Sequence, residues 1–377
     1  MTFLLVSFLV FAAYGLLIAA ITLGWWRLKE FKAESSFNFT KVSVVVAVRN
    51  EAGNIHKLIN SLLQQEYPES HYEIIIVDDH STDNTWQLTQ DFISNERGKT
   101  NLKIIRLGDK VVTGKKAAIH AGIQASGGEL IVVTDADCSA GRLWIRTMVS
   151  YYEKHLPQMI LGPVRMTDGG RLFGEFQSLE FLSLIASAAG SSNFGFPILC
   201  NGANLAFSRQ SYESCGGFGG NLQFASGDDM FLMMGIKKKF GAKSIRFLRS
   251  EDAMVDTPFT PGFNTFVNQR KRWVSKSRGY TDPSLIGTSV TVFLANLLLA
   301  VSAVSLFFCP ECFRIFAGIY LFKLLVDFPL MLSFGRFQKR IVLLWLFPIV
   351  EVINAYYTVF IGIAGNLGRF EWKGRRV

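Results

Sequence analysis

The chain has 377 residues, 49% of them hydrophobic with 33 phenylalanines, and a formal net charge of +9. That length holds two domains, or one domain and a membrane part, and the apolar fraction is high for a soluble α/β protein. The five cysteines lack zinc-ligand spacing, the five histidines are scattered, and the basic excess comes without a recognisable nucleic-acid-binding module.

Residues 3–24 contain no charged side chain, enough to cross about 30 Å of hydrocarbon as a helix. No Lys or Arg precedes this run, and Trp25-Trp26-Arg27-Leu28-Lys29 follows it. Aromatic and basic residues after the span predict an uncleaved anchor over 1–26 with its N-terminus outside. The middle, about 41–280, then has ordinary globular composition, and 27–283 is expected to be a cytosolic domain.

Val42–Val48 reads as a buried strand, followed by Arg49-Asn50-Glu51 and a helix from Ile55. A second strand, Glu73–Val77, ends in Asp78-Asp79, with Ser81-Thr82-Asp83 capping the helix that carries Trp86. A third covers Leu102–Leu107, and Gly114-Lys115 opens another helix. The run Ile131-Val132-Val133 then ends abruptly in Thr134-Asp135-Ala136-Asp137. Strands alternating with helices predict βαβ units and a mainly parallel sheet. Acids at the carboxyl ends of such strands stand where open α/β sheets bind ligands. Two carboxylates spaced i, i+2 repel each other, so a divalent cation is one natural partner, and hard oxygens favour Mg²⁺ or Mn²⁺. The plainer alternative is an acidic turn with an N-cap aspartate. A phosphate loop of the G-x-x-x-x-G-K-[ST] type and a G-x-G-x-x-G after a strand are both missing from the sequence, which argues against an ATPase or a dehydrogenase.

Further on, Leu161–Val164 reads as a strand and Phe173–Ala189 as a helix that packs in a core or lies on a bilayer. Cys200-Asn201-Gly202 suits a tight loop that lets a ligand approach the backbone. Gly216–Gly220 reads as a flexible turn. In Ser226-Gly227-Asp228-Asp229 the two acids are helix caps or a general base. Gln269-Arg270-Lys271-Arg272-Trp273 precedes the second charge-free run, 284–308, and combines a basic membrane flank with a Gln and a Trp that such a flank does not need.

The segments 315–335 and 341–364 are also apolar but contain Lys323, Asp327 and Glu351. Such groups at membrane depth either pair or line a polar path. Cys309 and Cys312 are expected as two small buried thiols. Residues 284–377 thus form a membrane domain of about three apolar segments with a basic tail. Four full spans would put that tail outside, against the positive-inside rule, so 341–364, broken by Pro348 and Glu351, is expected to be re-entrant or interfacial.

The combination of Val44–Glu51, Val77–Asp83, Gly114-Lys115, Thr134–Asp137, Gly227–Asp229 and Gln269-x-x-Arg272-Trp273 resembles the family 2 glycosyltransferases. These are inverting membrane enzymes of the α/β GT-A fold that use nucleotide-sugars. The motifs follow the family's order over about residues 41–275. The resemblance implies that Ala47, Arg49, Asn50, Glu51 and Asp78 or Asp79 contact the nucleobase and ribose, with Lys115 nearby and the Asn201-Gly202 loop close to the donor. It implies that Asp135 helps hold the nucleotide and that Asp137, with Asp135, holds Mg²⁺ or Mn²⁺ on the diphosphate. The second acid of the pair, Asp229, would be the base; Gly227-Asp228 departs from the family's commoner Thr-Glu, so Asp228 stays a candidate. Gln269, Arg272 and Trp273 would close over the diphosphate and the acceptor.

The resemblance also implies a UDP-linked donor, a lipid or glycan acceptor, membrane lipids but no nucleic acid as partners, and a bacterial inner (plasma) membrane location with a cytoplasmic catalytic domain. Few apolar segments favour single transfer to a lipid. A processive synthase of the poly-N-acetylglucosamine or hyaluronan type is the alternative, and an inactive scaffold or export subunit is the rival of another class.

Overall fold

The computed structural model describes residues 2–34, 38–95, 101–108, 114–167, 172–218 and 227–367, with two short backbone stretches at 371–372 and 375–376. The expected turn at Gly219-Gly220, Ser226 and Arg369 lie outside these residues. The chain divides into two compact units: Lys29–Thr167 with Cys200–Pro258, and Met1–Leu28 with Asp168–Leu199 and Phe259–Val377.

The first unit is built on two sheets. Its strands are β1 (Val42–Val48), β2 (Tyr72–Asp78), β3 (Leu102–Arg106), β4 (Leu130–Val133), β5 (Ser139–Ala140), β6 (Met159–Leu161), β7 (Val164–Met166), β8 (Leu205–Ser208), β9 (Ile245–Phe247) and β10 (Val255–Thr257). The main sheet has the order β3-β2-β1-β4-β8-β6-β9 and the smaller one β5-β10-β7. β1 pairs in parallel with both β2 and β4, from Val42 opposite Tyr72 and Leu130. β8 runs antiparallel to β4 and β6. Val44, Val45, Val46, Ile74, Ile75, Ile76 and Val132 are completely buried. Continuous β-branched runs are what a sheet covered on both faces requires. On one face the Lys115–Gln124 helix comes close because Gly122 has no side chain; a Cβ there would lie 2.4 Å from Val45 Cγ1. The order 3-2-1-4 puts a topological switch point between β1 and β4, with a crevice outside their carboxyl ends. The expected strand at Leu161–Val164 is two short strands, because Gly162-Pro163 breaks the ladder.

The second unit is helical. Four of its helices, Leu5–Arg27, Pro283–Ser305, Pro310–Phe337 and Phe347–Leu367, are long and apolar enough to cross a membrane. The last is one continuous helix after a 3₁₀ turn at Ile341–Trp345, and Glu351 does not interrupt it. Asp282 caps Pro283–Ser305, accepting from the backbone N–H of Ser284 and Leu285 at 2.9 and 3.1 Å. The Thr2–Arg27 helix crosses the Leu172–Phe194 helix backbone to backbone: a Cβ on Gly24 would sit 2.0 Å from Gly190 O, the small-residue contact of membrane helix pairs. Trp25, expected as an interfacial anchor, is 1% exposed and packs on Phe334 and Phe337 instead; Trp26 is the exposed one.

Lys323, Asp327 and Glu351 are buried and pair with one another. Lys323 Nζ donates to Asp327 Oδ2 at 2.8 Å and to Glu351, and Tyr14 OH donates to the Asp327 carboxylate at 2.8 Å. Three apolar helices are joined by this one polar knot. Cys309 and Cys312 are half-buried free thiols rather than buried ones, because the short turn between two helices leaves them uncovered.

Candidate functional site

The loops after β1, β2 and β4 carry most of the expected polar residues. Arg49 Nη1 donates to the carbonyls of Asp79 and His80 at 2.6 and 3.0 Å. Asn50, at φ 51°, donates its N–H to Ser81 Oγ and accepts from Thr82 N at 3.0 and 2.8 Å. Asparagine tolerates that left-handed backbone better than most residues. Glu51 donates its N–H to Thr85 Oγ1 and accepts from Asn54 Nδ2, both at 2.7 Å. The two loops are thereby stitched into one rim. Asp78 is fully buried and accepts from Ser81 N at 3.3 Å, with Arg106 Nε 3.6 Å away. Asp79 Oδ1 lies 3.2 Å from His80 Nδ1. Ala47 sits in β1 opposite Val77 and packs with the apolar cluster around Ile75 and Ala118.

The densest charge lies around Lys115, the first residue of its helix. Its Nζ donates to Asp135 Oδ1 at 2.6 Å and lies 3.6 Å from Asp228 Oδ2. Burial alone would discharge this ammonium, but Asp135, Asp228 and Asp229 hold its pKa above the ordinary lysine value. Gly202 completes the cluster: its N–H donates to Asp229 Oδ2 at 3.3 Å, and a Cβ there would meet Lys115 Nζ at 3.0 Å and Asp228 Oδ2 at 3.5 Å. Asp228 and Asp229 open the Asp228–Phe240 helix after Gly227 at φ 90°. Asp228 is buried and turned to Lys115, whereas Asp229 is half-buried and also accepts from Met230 N at 2.7 Å. Asn201 accepts from Ala203 N at 2.9 Å, closing the turn that presents Gly202.

Asp135, Asp137 and Cys138 offer ligand atoms all within 4.8 Å of one another. Burial, with the two carboxylates next, pushes the Cys138 thiol well above its ordinary pKa, so it stays protonated. The donors left are two carboxylates, a set that fits a hard divalent cation completed by diphosphate and water oxygens.

One buried residue that the sequence did not flag holds this end of the sheet together. Asn204 is 1% exposed; its Nδ2 donates to Pro163 O and Ala253 O, both at 2.8 Å, and its Oδ1 accepts from Trp144 Nε1 at 3.0 Å. Thr134 Oγ1 donates to Ala203 O at 2.8 Å. These bonds fix the 200–204 turn against the end of β4. An Asn in a polar loop gives no sequence signal of such burial.

Gln269, Arg272 and Trp273 belong to the Phe263–Ser275 helix of the helical unit. Gln269 Oε1 accepts from Thr260 Oγ1 at 2.9 Å and from Arg270 Nη1. Arg270 is 2% exposed, stacks 4.1 Å from the Trp273 ring centroid, and forms a two-point ion pair with Glu180 at 2.6 and 3.1 Å. The sequence presents Arg270 only as one charge of a basic run.

A doubly wound α/β sheet with carboxylates around a switch-point crevice defines a GT-A type nucleotide-diphospho-sugar domain. Residues 43–216 match the family model described as "Glycosyl transferase family 2", and residues 130–359 match "Glycosyl transferase family group 2". The chain belongs to the family 2 glycosyl transferases. It is 32% identical over 145 residues to glycosyltransferase AglE of Haloferax volcanii, covering 38% of this chain and 46% of that protein. It is 31% identical over 137 residues to beta-monoglucosyldiacylglycerol synthase of Nostoc sp., covering 36% and 29%. It is 30% identical over 160 residues to poly-beta-1,6-N-acetyl-D-glucosamine synthase of Staphylococcus epidermidis, covering 40% and 37%. The matched stretch spans less than half the length of each of these relatives. Among solved structures, the mannosyltransferase PcManGT of Pyrobaculum calidifontis, in complex with GDP-Man and Mn²⁺, aligns with a TM-score of 0.60 at 18% identity, over 94% of this chain and 98% of that one. That likeness establishes the fold.

Proposed function

We propose that this protein is a membrane-bound, metal-dependent, inverting glycosyltransferase that moves a sugar from a UDP-linked donor to a lipid or lipid-linked acceptor on the cytoplasmic face of a bacterial inner membrane. The observation that carries the reading is the convergence of Lys115, Asp135, Asp228, Asp229 and the Gly202 N–H at one end of the β4 strand. The similarity to a glucosyldiacylglycerol synthase supports the lipid acceptor. Basic residues beside the apolar segments, Arg27, Lys29, Arg270–Arg272, Lys276 and Arg278, support the cytoplasmic face. The proposed division is an anchor (1–26), a catalytic region (27–283) and a C-terminal membrane domain (284–377), with segments 168–199 and 259–283 of the catalytic region packing in the helical unit.

In this reading Asp135 and Asp137 hold Mg²⁺ or Mn²⁺, which, when bound, offsets charge on the leaving nucleoside diphosphate. The Arg49–Glu51 rim with Asp78 and Asp79 borders the nucleoside. Lys115 donates to Asp135 and lies beside Asp228, holding both side chains in place. Asp229, the more accessible of the two helix-start acids and oriented by the backbone N–H groups of Gly202 and Met230, takes the proton from the acceptor hydroxyl. That oxygen attacks the anomeric carbon opposite the leaving group, so one displacement inverts it. By resemblance to the family, Gln269, Arg272 and Trp273 of the helical unit are assigned to the diphosphate and the acceptor.

The test is purified full-length protein with a panel of nucleotide-sugars, Mn²⁺ or Mg²⁺ and native lipid extract, alongside Asp229→Asn. Nucleoside diphosphate release with one glycolipid product, lost about 10²–10⁴-fold in the variant, is expected. The similarity to a poly-N-acetylglucosamine synthase favours a second reading as a processive enzyme, which a product ladder would establish. No release with any donor would return the protein to a scaffold role.

A further inference from the structure

The helical unit contains a buried charge pair that the proposed chemistry does not use. Glu180, on the Leu172–Phe194 helix, accepts from Arg270 Nη2 and Nε at 2.6 and 3.1 Å and from Tyr357 OH, on the Phe347–Leu367 helix, at 3.3 Å. Both ends of the pair are more than nine-tenths buried. The Arg270 guanidinium lies between Phe266 and Trp273, at 4.5 and 4.1 Å from their ring centroids. Burying such a pair is costly and contributes little net stability, so packing alone does not explain it.

The geometry beyond the pair does. Arg270 Nη1 donates to Gln269 Oε1, and Thr260 Oγ1 donates to the same oxygen at 2.9 Å. Thr260 is itself clamped, its N–H and C=O each bonded at 3.0 Å to the Gln177 amide. An arginine can only donate, so the Gln269 oxygen is obliged to face inward. The Gln269 amide nitrogen is turned the other way and donates to none of the described residues. We infer that Glu180 and Arg270 are positioning residues: they fix the Gln269 amide so that it presents N–H donors, and not its carbonyl, to an anionic ligand such as a diphosphate. Tyr357 ties this arrangement to an apolar helix. The inference rests on the assignment of Gln269 to the diphosphate given above.

The experiment uses full-length protein in lipid nanodiscs and measures turnover, donor KM and apparent unfolding temperature for Glu180→Gln, Gln269→Ala and the double variant. If Glu180 acts through Gln269, Glu180→Gln lowers kcat on the order of 10-fold to 10²-fold. Donor KM stays within about twofold, and the double variant is no slower than Gln269→Ala alone. Wild-type kcat in Glu180→Gln, or losses that multiply in the double variant, overturns the positioning role while leaving the Gln269 assignment standing. Wild-type turnover in Gln269→Ala overturns that assignment and the inference with it. Should Glu180→Gln not fold, Thr260→Val removes the second bond to the Gln269 oxygen with the ion pair intact. A fall in kcat at unchanged KM then supports the inference, and wild-type kinetics overturns it.

Discussion

Replacing Asn204 by leucine, close to it in volume, removes three hydrogen bonds at one point of the sheet unit. The carbonyls of Pro163 and Ala253 and the Trp144 indole N–H each lose a partner at 2.8 to 3.0 Å. Pro163 O keeps the Val255 N–H at 3.1 Å, so two buried groups are left unmatched at about 1–3 kcal/mol each, about 2–6 kcal/mol in all, and partial relaxation favours the lower half. Space to relax is small: Gly162 already approaches so closely that a Cβ on it would lie 2.3 Å from Asn204 Cγ. For a domain of this size about 2–4 °C of melting temperature accompanies each kcal/mol, which gives a drop of roughly 4–16 °C. Differential scanning fluorimetry in detergent at one scan rate reads it, with turnover measured below the transition. Turnover should fall as well, because the same residue anchors the turn that aims Gly202 at Asp229. A shift under about 2 °C would mean that the polar core at the end of β4 is not what holds this part of the fold.

Asp137→Asn removes one of two carboxylate donors and should weaken Mn²⁺ binding at least about tenfold, read by electron paramagnetic resonance without any turnover assay; unchanged affinity would place the metal elsewhere. Glu73 gives a pH signature. Burial raises its pKa, but hydrogen bonds from Gly127 N–H, Lys103 and Ser43 outweigh that and hold it below the ordinary 4.5. A depressed carboxylate stabilises the fold above its unfolded pKa and loses that contribution as pH falls through the folded one. Glu73→Gln should therefore be less stable than wild type at pH 7 and converge with it in acid below about pH 4; a constant gap down to pH 3 would contradict this. Lys323→Met strands Asp327 and Glu351 and should cost about 3–5 kcal/mol, seen as loss of folded protein on detergent extraction, whereas Tyr14→Phe should be milder at about 1–2 kcal/mol. Equal yields of all three proteins would argue against the knot.

Much of this architecture could be read from residues. The runs 42–48, 74–77 and 130–133 are rich in β-branched residues and suit a sheet covered on both faces, so β1, β2 and β4 and the acids after them were legible. The antiparallel β8 was not, since a four-residue apolar run has no direction. Nor did chain order reveal that Leu172–Phe194 and Phe263–Ser275 pack within the helical unit, because the first read as a core or a bilayer-surface helix and the second only as a basic membrane flank. At the site, the sequence favoured Asp229 over Asp228 only through the family resemblance; the placement of Lys115 and Gly202 shows their different surroundings. Asn204 and Arg270 escaped notice for a shared reason. Polar residues announce burial through partners distant in sequence, and those become visible only when the chain is folded.

The polar knot of Tyr14, Lys323, Asp327 and Glu351 also bears on how the protein enters a bilayer. A helix carrying Lys323 and Asp327 inserts alone against about 2.5–3.5 kcal/mol for each charged group. Its phenol partner is synthesised 313 residues before Asp327, and its second carboxylate, Glu351, comes 28 residues after Lys323. On the proposed membrane reading, the first helix is the partner onto which the later helices dock, and a chain deprived of it is expected to leave Asp327 without its phenol donor.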